Sequence, residues 1–93
     1  MQYRKQSRII ADVLITVKDL DEGEGVGVTT LLRKCNLSYV RMKPLVSVLV
    51  GAGLLRETEE ERSTRYCITQ EGITFLRAWS QFDGFAQSFG LKL

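Results

Sequence analysis

Histidine is missing from this 93-residue sequence, proline occurs once and cysteine twice. Two isolated thiols, Cys35 and Cys67, with no imidazole to join them cannot complete the usual four-ligand zinc site. Both read as small core residues rather than a disulfide pair, because free cysteine is among the most buried residue types. Gly23, Gly25 and Gly27 precede a helical segment, yet they follow acids and lack the lysine of a phosphate-binding loop. A connecting loop is the better reading. With no paired nucleophile and base elsewhere, the chain is expected not to be an enzyme and to need no metal or other cofactor. The longest nearly apolar run, Leu45 to Leu55, falls well short of the ~20 residues that cross a bilayer. The N-terminal cluster Arg4, Lys5 and Arg8 is followed by no apolar signal segment. These absences point to a cytoplasmic protein with no membrane partner.

What is present is an ordinary globular composition, 44% hydrophobic and 26% charged, in a length that supports one modest core. From Ser7 onward, Ile10, Val13, Leu14 and Val17 follow the i, i+3, i+4, i+7 spacing of an amphipathic helix. Four acids and three glycines between Asp19 and Gly27 then break both periodicities and mark a loop. Thr29 or Thr30 is positioned to cap a short second helix carrying Leu31, Leu32 and Cys35. Asn36 suits a tight turn, and Ser38 is an N-cap for a third helix whose apolar stripe is Met42, Leu45, Val46 and Leu49. Leu37 and Met42 have the spacing of a hydrophobic staple, and Gly51 or Gly53 suits the helix end. Pro44 is expected to bend this helix or tighten its first turn, because it removes an N–H and crowds the carbonyl one turn earlier. Leu54 to Thr58 and Thr64 to Thr69 read as a β-hairpin with a polar tip, the inward register of Tyr66 and Ile68 being open. Thr69 caps a last helix that Gly84 and Gly90 weaken near its end.

The order is helix, helix, turn, helix, hairpin, helix, an α+β chain that is mostly helical. With Asn36-Leu37-Ser38-Tyr39 opening the third helix, Gly53-Leu54-Leu55 leaving it and Ile68-Thr69-Gln70-Glu71-Gly72 opening the last, it resembles the small archaeal winged helix-turn-helix DNA-binding proteins. These are transcriptional regulators and related chromosomal proteins with a C-terminal dimerisation helix. The resemblance covers about Ser7 to Leu76. It implies a winged helix-turn-helix domain over residues 1–76, a dimerisation helix over 69–93 continuous with it, the hairpin as wing, and association with the nucleoid. Two features depart from the family pattern. Pro44 stands where a polar helix former is usual, and Glu59, Glu60 and Glu61 at the wing tip repel phosphate.

DNA affinity comes largely from neutralised phosphates, so the placement of charge outweighs the formal total of +2. Arg33, Lys34, Arg41 and Lys43 lie in a stretch without acids. At 100° per residue, Val40, Lys43, Pro44 and Ser47 oppose the apolar stripe, flanked by Tyr39 and Arg41. The expected roles follow from how recognition helices dock: Tyr39, Val40, Lys43 and Ser47 toward the major groove of double-stranded DNA, and Ser38, Arg41, Arg33 and Lys34 toward phosphates. Arg62 and Arg65 supply charge on the wing. Arg41 or Lys43 suits a guanine edge, and Val40 a thymine methyl. The competing reading is a solvated basic face, with Arg4, Lys5 and Arg8 as either a basic arm or a flexible tail.

Phe75, Trp79, Phe82, Ala86 and Phe89 recur in alternating four- and three-residue steps, the a/d pattern of a coiled coil. So many large aromatics on one terminal helix favour a homodimer seam over packing on the first helix alone. The alternative function is a protein–protein interaction module without direct DNA readout, suggested by the acidic wing beside this aromatic helix.

Overall fold

Apolar spacing sets the centre of the molecule. The computed structural model describes residues 5–91, and α1 (Gln6–Leu20) runs through the middle of them. Val13, Leu14 and Val17 are fully buried as the spacing predicts, but Ile9 and Ala11 are also inside while Ile10 is half-buried. The buried arc is wide because α1 is enclosed by α2 (Val28–Cys35), by the sheet and by α4 (Gln70–Ser88). A one-sided stripe suits a helix with one neighbour; α1 has three.

The loop after α1 turns on one carboxylate. Asp21 Oδ1 accepts from the backbone N–H of Gly23 at 2.8 Å and of Gly25 at 2.9 Å. These two donors hold the Asp21 carboxyl below the ordinary 3.8. The chain leaves the turn as β1 (Val26–Gly27), a strand that the sequence pattern presents only as loop. Two residues are too few to show alternation, so only the pairing reveals it: Val26 opposes Tyr66 and Gly27 opposes Arg65, antiparallel. This strand also moves the start of α2. Gly27 occupies the N-cap with no side-chain cap, so neither Thr29 nor Thr30 caps the helix as expected.

Asn36 takes the left-handed conformation (φ 53°) and donates its N–H to Leu32, which closes α2 and turns the chain toward α3 (Tyr39–Gly51). Ser38 Oγ caps α3 by accepting from the Arg41 N–H at 3.4 Å. Leu37 and Met42 are both buried in the core cluster, where a staple requires them. Pro44 sits inside α3 without ending it. It has no N–H for the Val40 carbonyl, and the turn before it is tightened: the Ser38 carbonyl accepts from both Arg41 (3.2 Å) and Met42 (2.9 Å). Gly53 (φ 81°) then reverses the chain, donating to Val50, while Leu54 donates to Leu49. A side chain at that φ is strained, so glycine belongs there.

The hairpin is longer than its sequence pattern suggests. β2 (Leu55–Glu60) and β3 (Ser63–Ile68) pair in full register from Leu55↔Ile68 to Glu60↔Ser63, giving the sheet order β1-β3-β2. Its tip needs only Glu61 and Arg62, both at positive φ (47° and 72°), the geometry of a two-residue hairpin turn. Leu55 and Tyr66 point into the core, which settles the open register in favour of Tyr66 and Ile68 facing in.

Thr69 caps α4, accepting from Gly72 at 3.0 Å and donating its hydroxyl to the Gly53 carbonyl at 2.6 Å. Gly72 is fitted against the link that leaves α3 and the end of β3: a Cβ there would strike the Leu54 carbonyl oxygen and lie 2.6 Å from Ile68 Cγ1. The helix passes unbroken through Gly84 to Ser88. Along α1 it is tied by an ion pair from Arg8 to the buried Asp83 (3.3 Å), with the guanidinium 4.8 Å from the Trp79 ring centroid. Gln87 donates to the same carboxylate at 2.8 Å. Arg8 is therefore a tie between the first and last helices rather than part of an N-terminal arm or tail; Lys5 is exposed, and Arg4 lies outside the described residues. No disulfide joins Cys35 and Cys67. Cys35 is buried beside Thr16 and the Asp12 carbonyl, and Cys67 is half-buried in the sheet.

Candidate nucleic-acid interface

The burial of Met42, Leu45, Val46 and Leu49 decides what α3 shows to solvent. Ser38, Tyr39, Val40, Arg41, Lys43, Pro44 and Ser47 are all exposed, Val40 by 80% and Tyr39 by 54%. Arg33 and Lys34, in the last turn of α2, are exposed as well. Among the described residues, none of Arg33, Lys34, Arg41 and Lys43 has an ion-pair partner, so their charge is available to an outside anion.

Between α3 and the hairpin lies a cleft of about 210 Å³ lined by Lys43, Ser47, Val50, Glu57 and Tyr66. The register explains its chemistry. Glu57 is opposite Tyr66, and the Tyr66 hydroxyl donates to Glu57 Oε1 at 3.0 Å. Burial, then this bond and the carboxylate's charge, with a smaller contribution from Tyr39, push the Tyr66 phenol up to about 12. The result is a neutral phenol holding a carboxylate beside Lys43. The sequence pattern marks none of Glu57, Tyr66 and the exposed Val48 as a site residue. Glu57 is one glutamate among four between residues 57 and 61, and only strand pairing puts it near α3.

Arg62 is exposed at the hairpin tip. Arg65 lies on the opposite sheet face from Glu57 and Tyr66, half-buried, and donates to the Gly25 carbonyl at 3.2 Å. It ties the hairpin to the α1–β1 loop.

The aromatic pattern of α4 divides. Phe75 and Trp79 are half-buried against the core and Ala86 is buried. Phe82 and Phe89 are 60% and 68% exposed, and Phe85, outside the a/d steps, is 65% exposed. The Phe85 and Phe89 rings meet edge to face with centroids 5.0 Å apart. Because α1 occupies one flank of α4, the uncovered aromatics gather on the other. Among the described residues, no helix is long and apolar enough to cross a membrane, and no group of three or more His, Cys, Asp or Glu is placed to hold a metal ion.

No curated relative matches the chain. Among solved structures, Sso10a-2, a DNA-binding protein from Sulfolobus solfataricus, superposes with a TM-score of 0.78 at 22% identity over 92% of this chain and 85% of that one. SSV1 F-93 superposes with a TM-score of 0.62, at 18% identity over 94% of this chain and 96% of its own. MepR, a transcription regulator of the Staphylococcus aureus multidrug efflux pump MepA, gives 0.73 at 17% identity over 90% of this chain and 64% of its own. At these identities the agreement is one of fold. The winged helix-turn-helix family model matches residues 3–87. That match spans most of the chain, and with the element order described above it shows that this protein belongs to the winged helix-turn-helix family.

Proposed function

We propose that the chain binds duplex DNA, as a transcriptional regulator or a nucleoid-associated architectural protein, with the first half of α3 in the major groove. The observation that carries this reading is the set of cations Arg33, Lys34, Arg41 and Lys43 around the exposed start of α3, which have no ion-pair partner among the described residues. Ser38, Arg33, Lys34 and Arg41 meet phosphates; Tyr39, Val40, Lys43 and Ser47 approach base edges. Arg62 reaches a flanking phosphate from the hairpin tip. The descriptions of Sso10a-2 as DNA-binding and MepR as a transcription regulator support the same reading. Fluorescence anisotropy with a labelled random duplex at low salt tests it, and absence of saturable binding there refutes it.

In this reading residues 69–93 serve as a dimerisation element, with Phe82, Phe85 and Phe89 meeting a second copy and Phe75, Trp79 and Ala86 bracing α4 from behind. Exposed aromatics gathered on one helix flank are costly unless covered. A two-fold dimer presents two α3 helices to a pseudo-palindromic site. Phe82→Asp with Phe85→Asp is expected to shift sedimentation to monomer, and a monomeric wild type refutes the dimer. A second reading, a protein-interaction module, is favoured by one observation: Val40, Pro44 and Val48 form an exposed apolar strip at i, i+4, i+8 along α3. It predicts that the basic residues are dispensable for partner binding.

A further inference from the structure

A groove between α1 and α4 lies on the far side of α4 from the exposed aromatics. It has a volume of about 530 Å³ and is lined by Ile15 and Lys18 of α1 with Ile73, Leu76, Arg77, Trp79, Ser80 and Gln81 of α4. That volume is within the ~300–1,000 Å³ of small-molecule sites. Ile15, 39% exposed, and the half-buried Ile73 and Trp79 leave apolar surface open to a guest. Lys18 and Arg77 are exposed at the rim, have no ion-pair partner among the described residues, and no acid lines the groove.

The wall is also held in place. Trp79 is stacked by the Arg8 guanidinium, which the buried Asp83 fixes in turn, so the indole is oriented before anything binds. Preorganisation of this kind lowers the ordering cost of a ligand. From these observations we infer that the α1–α4 groove is a binding site for a small amphipathic organic anion, a carboxylate with an apolar body. The body lies on Ile15, Ile73, Leu76 and Trp79, and the carboxylate is held between Lys18 and Arg77. At 100° per residue Phe82, Phe85 and Phe89 fall on the opposite flank of α4 from Ile73, Arg77 and Ser80, so a second copy docked on the aromatics leaves the groove open. The inference does not rest on DNA binding.

Trp79 is the single tryptophan in the sequence, so its emission reports on the groove directly. The test titrates decanoate, which is optically silent, into the full chain, with decanol as the uncharged control. Decanoate is expected to shift Trp79 emission saturably, and decanol to bind about tenfold more weakly, since a charge-assisted contact discriminates by roughly that factor. Lys18→Met and Arg77→Met, which keep the apolar stems at exposed positions, are each expected to weaken decanoate about tenfold with unchanged circular dichroism. Equal affinity for decanol and decanoate, or unchanged affinity in both methionine variants, overturns the carboxylate site. Decanoate converting a dimer to monomer in sedimentation also overturns it, because a second copy then fills the groove.

Discussion

Replacing Gly72 or Gly84 by alanine puts the same methyl on the same helix in two different surroundings. In a helix interior the exchange gains roughly 0.5–1 kcal/mol, because the unfolded chain loses freedom and the helix gains a better former. At Gly84 a Cβ meets nothing within 4 Å, so that gain stands alone. At Gly72 the methyl runs into the Leu54 carbonyl oxygen and Ile68 Cγ1 at 2.6 Å. Neither obstacle moves freely. The Leu54 carbonyl accepts the Thr69 N–H at 3.2 Å and thereby joins the exit of α3 to the start of α4. Overpacking costs ~1–3 kcal/mol, and backbone in the way favours the upper part of that range. The net expectation is a loss of about 1–2 kcal/mol for Gly72→Ala. For a domain of this size that lowers Tm by about 5–15 °C, whereas Gly84→Ala raises it by a few degrees. Urea and thermal unfolding at one matched protein concentration read both, since any dimerisation links stability to concentration. A Gly72→Ala protein as stable as the wild type refutes the packing assigned to the α3–α4 junction.

Glu57→Gln removes a fixed negative charge from the cleft beside Lys43 while keeping an acceptor for Tyr66, and duplex affinity is expected to rise several-fold at low salt; an unchanged anisotropy titration contradicts the placement of Glu57 at the interface. Tyr66 titrates at about 12, raised from 10.0, so the folded state holds the proton that the unfolded state releases. Its contribution to stability is full below pH 10 and is lost as pH rises toward about 12, and ultraviolet titration of Tyr66→Phe should lack that last phenolate step. The Asp21 pKa is lowered, chiefly by the N–H groups of Gly23 and Gly25, so the stability it lends is complete above the ordinary 3.8 and disappears as pH falls through the depressed value. Asp21→Asn should flatten the acid limb of unfolding; an identical limb in both proteins counts against the turn.

The parts of the fold that could be read from the chain are those written in local spacing. Ser38 and Thr69 act as caps, Met42, Leu45, Val46 and Leu49 form one stripe, and Asn36 makes the turn, because each depends on neighbours within about one helical turn. What the spacing did not contain is set by distant partners. β1 exists through Val26 and Gly27 meeting Tyr66 and Arg65. Arg8 looked like part of a terminal charge cluster, and its partner Asp83 is 75 residues away. The aromatic steps on α4 show periodicity but not which flank α1 covers, so they omit the exposed Phe85 and include Phe75, Trp79 and Ala86, which turn inward. The exposed basic residues of α2 and α3 were legible from charge and periodicity; Glu57 in their midst was not, because a strand register decides it.

On the proposed reading Arg41 neutralises a phosphate and Lys43 approaches a base edge at the start of α3. The most direct measurement is duplex affinity against salt for the wild type and for Arg41→Ala with Lys43→Ala. Losing the one phosphate contact assigned to Arg41 reduces the slope of log affinity on log salt by about 0.9, so the double variant should be weaker at low salt and its slope shallower by about 1. Wild-type affinity with an unchanged slope in the double variant contradicts the account.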